Sequence, residues 1–319
     1  MDNLTHGLVG ALIGQTGLKR KTGLAMPALI IGANLPDVDA TCFLWLHGTE
    51  HLAFRRGITH GPPALLLLPL ALAGILWGYD RWQARRGKRP QTRLPVRLGW
   101  LYLLALIGCL SHPALDWLNV YGIRLLEPFS HRWFYGDALF IIDLWLWLLL
   151  GVSTWLSLRR ERGGGNWHKP ARIGLASAVA YIVANLLYSQ GIARAAMHDL
   201  DGAVPQPVKI IANPPMLTPW RREILAMDGS QRWYVTDYSP FSGLGETVQL
   251  EPDQCAVNAS ALPRGNRQVD AFLFWARAPI TIRRGGGVTL QDARYLTTGE
   301  DSRFKVDLPQ VSCLEPPAG

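Results

Sequence analysis

Leu98–Leu118 reads LGWLYLLALIGCLSHPALDWL, and this stretch decides both the class of the fold and where its chemistry is sought. From Leu98 to Ser111 it carries no charge. A helix needs about 20 apolar residues to cross a hydrocarbon core of about 30 Å, and this run has that length. Its end carries His112 and Asp116, four apart and therefore on one helical face. Pro113 between them is expected to kink the helix. Ionisable side chains in an apolar segment are costly, and they usually face a cavity or a partner.

Working outward, Pro62–Tyr79 and Ala138–Leu158 are apolar runs of similar kind. Ile173–Ile192 is long enough, although it contains Asn185 and Ser189. Two weaker segments precede these. Leu4–Leu18 is short and rich in Gly and Ala, and Leu24–Leu46 is interrupted by Asn34-Leu35-Pro36-Asp37-Val38-Asp39. Pro36 lacks a backbone donor and disfavours helical backbone at Leu35, so a break is expected there. Irregular backbone at membrane depth is tolerated where it is buried in protein or lines a cavity. The expected fold is an α-helical polytopic membrane domain of about six segments over residues 1–197. A proline-rich linker and a small β-rich extracytoplasmic domain follow over 198–319. Alternatively, Leu4–Leu18 lies on or dips into the membrane, leaving four or five full spans.

The charge pattern gives an orientation. Apolar residues make up 49% of the chain and there are 13 Trp, yet the formal charge is +8. Lys and Arg fall in blocks at 19–21, 81–97 and 159–172. Placed in the cytoplasm, these blocks put both termini outside the cell membrane. The basic balance is thus explained by topology; no motif suggests a nucleic-acid partner. The first residues lack the basic start of a cleaved signal. Among the four Cys, Cys255 and Cys313 lie in the polar C-terminal part and are expected to pair if that part is outside.

With this orientation the buried ionisable groups reach one level, near the outer surface. His6 opens the first segment, and Asp37 and Asp39 lie late in the second. His60 precedes the third, His112 and Asp116 end the fourth, and Asp137 and Asp143 begin the fifth. Leu4–Leu18 rises only about 22 Å as a helix, so His6 should sit below the outer surface, within reach of His60, His112 and Asp116. An extended backbone after Pro36 would point Asp37 and Asp39 in parallel. Imidazole and carboxylate together suit zinc, with manganese or iron as alternatives. The expected ligands are His6, Asp37, Asp39, His60, His112 and Asp116, enough for one or two ions, with a spare carboxylate such as Asp39 as general base. Arg56 is the candidate for stabilising substrate charge. An ion or proton transporter would use similar residues, but would continue polar through the cytoplasmic half of the helices.

Read in order, these residues resemble a known family. The resemblance is carried by Leu4-Thr5-His6-Gly7, by Asn34-Leu35-Pro36-Asp37-Val38-Asp39, by Arg56-Gly57-Ile58-Thr59-His60, and by His112-Pro113-Ala114-Leu115-Asp116-Trp117-Leu118-Asn119-Val120-Tyr121-Gly122. Asp137 and Ile141-Ile142-Asp143 complete it, and 272–279 with 290–295 are similar to longer members. The family is that of the LexA-regulated, membrane-bound, predicted metal-dependent hydrolases, or YdjM-like proteins. Arg55 and Gly61 depart from its pattern, where His and Ser are common. The resemblance implies a metal-dependent hydrolase of the inner membrane. The depth of the site points to the bilayer as its surroundings and to a lipid or lipid-linked substrate, with a phosphoester favoured over an amide or ester.

Overall fold

The structure is a computed structural model and describes residues 1–200, 202–250, 263, 265–284, 287–296 and 304–311. Cys255 and Cys313 lie outside the described residues. The helices are α1 (Asn3–Gln15), α2 (Ala25–Asn34), α3 (Glu50–Phe54), α4 (Pro62–Arg85), α5 (Leu98–Asp116), α6 (Leu144–Arg162) and α7 (His168–Asp199). Strands β1 (Pro207–Asn213), β2 (Arg222–Asp228), β3 (Trp233–Ser239), β4 (Gly243–Leu244) and β5 (Val248–Gln249) follow, then helix α8 (Arg267–Trp275) and strands β6 (Pro279–Arg284), β7 (Gly287–Asp292) and β8 (Lys305–Leu308).

The chain forms two compact units. One comprises Met1–Asp39, Arg56–Tyr188 and Pro214–Pro219; the other comprises Ala40–Arg55, Ser189–Asn213 and Trp220–Gly319.

Helices α4, α5 and α7 are long and apolar enough to cross a membrane. The fifth apolar run differs from expectation. Its helix begins at Leu144 rather than Ala138, because the Asp143 carboxylate caps it by accepting the Leu146 N–H at 2.8 Å. It ends in Arg159-Arg160-Glu161-Arg162, which leaves a shorter apolar part. Helices α1 and α2 have 13 and 10 residues. At 1.5 Å per residue each is shorter than a bilayer core of about 30 Å.

Two apolar clusters hold the unit. Leu29, Leu72, Ala73, Leu101 and Leu104 join α2, α4 and α5, and Leu12, Leu115, Leu146, Leu150 and Ala171 join α1, α5, α6 and α7. Lipid tails are as apolar as leucine, so helices in a bilayer associate through close packing, and small residues at the contact permit it. A Cβ on Gly10 of α1 would lie 2.7 Å from the Leu29 carbonyl oxygen of α2, and one on Gly108 of α5 would lie 2.5 Å from the same atom. Both glycines are therefore required by backbone contact. Each lies one turn from a histidine on its own helix, Gly10 from His6 and Gly108 from His112.

The other unit is built on antiparallel sheets. β1–β2–β3–β4 form one path with β5 also paired to β3, and β6–β7–β8 form a second sheet. The register sets Ile211 opposite Leu225 and Leu225 opposite Val235. Ile211, Leu225 and Trp233 share a core with Ala278, Ile280, Ile282 and Ala293. A turn that begins at Asp228-Gly229 joins β2 to β3, and the Asp228 carboxylate accepts N–H bonds from Ser230 and Arg232.

Candidate metal centre

His60, His112, Asp116 and Asp37 each offer a ligand atom, and these atoms lie within 4.8 Å of one another. Three short pieces of chain deliver them: the 3-10 turn that follows α2, the 3-10 turn Ile58–His60 before α4, and the last turns of α5. The imidazoles of His60 and His112 are fully buried with Asp116, and Asp37 is partly buried.

Each of these imidazoles is held from behind. His112 Nδ1 donates to the Ala33 carbonyl oxygen at 2.7 Å, which fixes its tautomer and turns Nε2 inward. His112 Nε2 lies 3.5 Å from Asp116 Oδ2 and 3.8 Å from Asp37 Oδ1. His60 Nδ1 lies 2.9 Å from the Thr59 hydroxyl, and Thr59 in turn donates to Asp39 Oδ2 at 3.2 Å. His60 Nε2 faces Asp116 Oδ2 at 3.6 Å. His60 precedes α4; burial pushes its imidazole pKa down, against the opposing pull of Asp116. The neutral ring is the form that binds a metal.

The cluster is unsatisfied. His6 Nδ1 and Nε2, His60 Nε2 and His112 Nε2 are buried and make no hydrogen bond. Asp116 Oδ2 lies 3.0 Å from Arg56 Nε but makes no well-angled bond either. Buried polar groups are nearly always hydrogen-bonded, so orphan donors and acceptors aimed at one point call for a ligand.

The sequence-predicted residues divide accordingly. His6 reaches the cluster: its Nε2 is 3.3 Å from Asp116 Oδ1, and its ring stacks on that of His112 with centroids 3.7 Å apart. It stands outside the tight group of four. Asp39, expected as a ligand and as the base, stands on the far side of His60. Its Oδ2 accepts the Arg56 backbone N–H at 2.7 Å and lies 3.6 Å from His60 Nδ1. The physical reason is the backbone. Leu35–Leu44 is a 3-10 turn rather than extended chain. At three residues per turn, positions two apart point about 120° apart. Arg56, at φ 53°, aims its guanidinium at Asp116, and its Nη1 donates to Asn119 Oδ1 at 2.9 Å and to the Gly122 carbonyl at 3.3 Å. Asp143 is occupied as the α6 cap and by the Tyr181 hydroxyl, 3.1 Å from its Oδ2. Asp137 is not in the group of four.

Several supporting groups escaped the sequence reading. Thr59 and Asn119 lie inside the quoted motifs, where being polar beside a ligand was the available signal. The Ala33 carbonyl carries no side-chain signal at all. The Met1 amine also contacts Asp116.

A model of the YdjM inner membrane protein family matches residues 1–192, the part of the chain that carries all of these groups. The chain belongs to the YdjM inner membrane protein family. It is also similar to the protein named "Uncharacterized protein YfhP" of Bacillus subtilis (strain 168), with 26% identity over 165 residues. That match covers 49% of this chain and 46% of YfhP, so it spans about half the length of each. No solved structure matches the chain. In this YdjM-family protein the matched region thus contains α4, α5 and most of α7, each able to cross a membrane, and a His/Asp group able to hold a metal ion.

Proposed function

We propose that this protein is a metal-dependent hydrolase of the inner membrane that acts at the extracytoplasmic side on a lipid or lipid-linked substrate, with a phosphoester as the favoured bond. The observation that carries the reading is the group of buried His60, His112 and Asp116 with partly buried Asp37, whose inward imidazole nitrogens have no hydrogen-bond partner. Two imidazoles and two carboxylates without a thiolate fit zinc, and fit manganese or iron next. His6, against the other oxygen of Asp116, is the ligand that a second ion would add. When bound, the ion supplies Lewis-acid polarisation and lowers the pKa of water toward neutrality.

The chain's own residues do the rest. Asp39 and Thr59 orient His60, and the Ala33 carbonyl orients His112. Arg56 presents a guanidinium that can pair with the oxygens of a phosphoryl group as charge builds on them. Asp37, partly exposed, is placed to accept a proton. The basic blocks support cytoplasmic loops at 81–97 and 159–172, up to six membrane segments, and both termini outside.

Transport would need polar groups continuing away from the cluster. Between His6 and Gln15, α1 buries Val9 and Leu12; ahead of His112, α5 buries Leu101, Leu104, Ala105 and Cys109. The deciding experiment is elemental analysis of the purified chain beside His60→Ala and Asp116→Ala. Stoichiometric zinc, manganese or iron, lost in both variants together with cleavage of a lipid phosphoester, is the expected result. A folded wild type free of metal overturns the reading.

A further inference from the structure

The excursion Ala40–Arg55 leaves the helical unit after Asp39 and returns at Arg56, and nothing in the metal chemistry uses it. It belongs to the sheet unit, where α3 packs along α8. The Thr49 hydroxyl donates to the Gln268 carbonyl at 2.8 Å, and Arg267 Nε lies 3.6 Å from Glu50 Oε1. Between the two helices is an open, shallow cleft of about 420 Å³. Leu46, Ala53, Phe54 and Ala271 give it apolar walls, and Glu50, Arg267 and Asp270 complete its lining. Small-molecule sites span roughly 300–1,000 Å³ and combine an apolar body with few polar groups.

The surface beside the cleft is strongly apolar. Leu44 is 83% exposed, Phe43 53% and Trp45 52%, and Phe54, Leu273 and Phe274 are each about 40% exposed. An isolated exposed leucine needs no explanation, but a contiguous apolar run does. Arg55 lies over the Phe43 ring at 5.6 Å, and Trp45 meets Phe54 edge-on with centroids 6.2 Å apart. Aromatic rings accompanied by Arg are the composition of a membrane interface.

We propose that this cleft binds a membrane phospholipid, with an acyl chain between α3 and α8, the headgroup at Arg267, Glu50 and Asp270, and Phe43-Leu44-Trp45 seated in the bilayer surface. Chain continuity argues for lipid over a protein partner. Arg55 is followed within seven residues by Pro62, where a helix able to cross the membrane begins, so a bilayer crossed by that helix would lie within a few residues of the excursion. The rim offers a guanidinium to a phosphodiester and carboxylates to an ammonium, the two charges of a phosphoethanolamine head. The cleft is independent of the metal reading.

The test reconstitutes the full chain in vesicles of phosphatidylethanolamine and phosphatidylglycerol containing a phosphatidylethanolamine with a diazirine in its acyl chain. After photolysis, peptide mapping locates the adducts, and metal content is measured on the same sample. Adducts at Leu46, Phe54 and Ala271, lost in Ala53→Trp while metal content is kept, are expected. Adducts confined to α4, α5 and α7 in the wild type overturn the proposal whether or not Ala53→Trp folds. A protein cross-linked through a photoreactive residue at Phe54 in cells, with no lipid adduct there, also overturns it. Metal absent with cleft adducts present removes the hydrolase reading alone; the converse removes the lipid site alone.

Discussion

Asp116 and Asp292 are both fully buried carboxylates beside an arginine, and their surroundings differ. Asp292 Oδ1 accepts from Arg294 N at 3.0 Å and Nε at 2.8 Å; its Oδ2 accepts from Arg277 N, Ala278 N and Arg294 Nη2 at 2.8, 3.1 and 2.8 Å. Asp116 instead faces three imidazoles at 3.3–3.6 Å, whose nitrogens toward it make no hydrogen bond. A buried charge whose oxygens are all met by donors is part of the scaffold. A buried charge that shares its space with orphan lone pairs is incomplete without something else. The contrast separates structural from functional acids where burial alone would not.

The sharpest way to break the comparison is to remove each carboxylate. Asp116→Asn should abolish metal binding, with a loss greater than the roughly 10–100-fold that follows removal of an outer partner; elemental analysis and a competition titration read it. Asp292→Ala should leave metal content untouched and destabilise the sheet unit by about 3–5 kcal/mol, because the buried Arg294 charge loses its carboxylate. Denaturant unfolding in detergent checks this, and unchanged stability would refute the scaffold assignment. Asp39→Asn then sharpens the account of the metal centre. It changes the group behind His60 and the acceptor of the Arg56 backbone N–H, but no atom of the tight group of four, so metal affinity should fall roughly 10–100-fold without vanishing. Total loss would place Asp39 among the ligands after all.

The smallest effect is on acid stability. Asp292 is fully buried, which by itself raises its pKa, but Arg294 and the backbone donors hold the folded-state pKa below its ordinary 3.8. Such a group contributes stability that is fully present above the unfolded pKa and is lost as pH falls through the lower folded value. The sheet unit of the wild type should therefore weaken below about pH 4. In Asp292→Asn that part of the acid slope should be absent, as unfolding midpoints measured across the acid range would report.

Much of the helical unit is legible in the chain itself. The long apolar helices beginning at Leu98 and Pro62 follow from length and apolarity, and the four-residue spacing of His112 and Asp116 places both on one face of α5. What escapes is set by backbone detail. Pro36 announces a break after α2 but not its form, and the 3-10 turn that forms there separates Asp37 from Asp39. The helix of the fifth apolar run starts at Leu144 because the Asp143 carboxylate caps it there. The pairing of 40–55 with α8 rests on a side-chain to backbone bond across more than two hundred residues, Thr49 to Gln268, which no local pattern encodes.

The two glycines against the Leu29 carbonyl make the spacing of the histidines a matter of contact rather than of balance. Side chains swing and swell with temperature, and a gap filled by them breathes; one closed by peptide against peptide is a mechanical stop. His6 and His112 each stand one turn from that stop, as jaws stand on a caliper. Softening the leucine core would loosen the frame long before it changed the setting of the jaws, whereas a single methyl at Gly10 or Gly108 would shift the zero of the instrument.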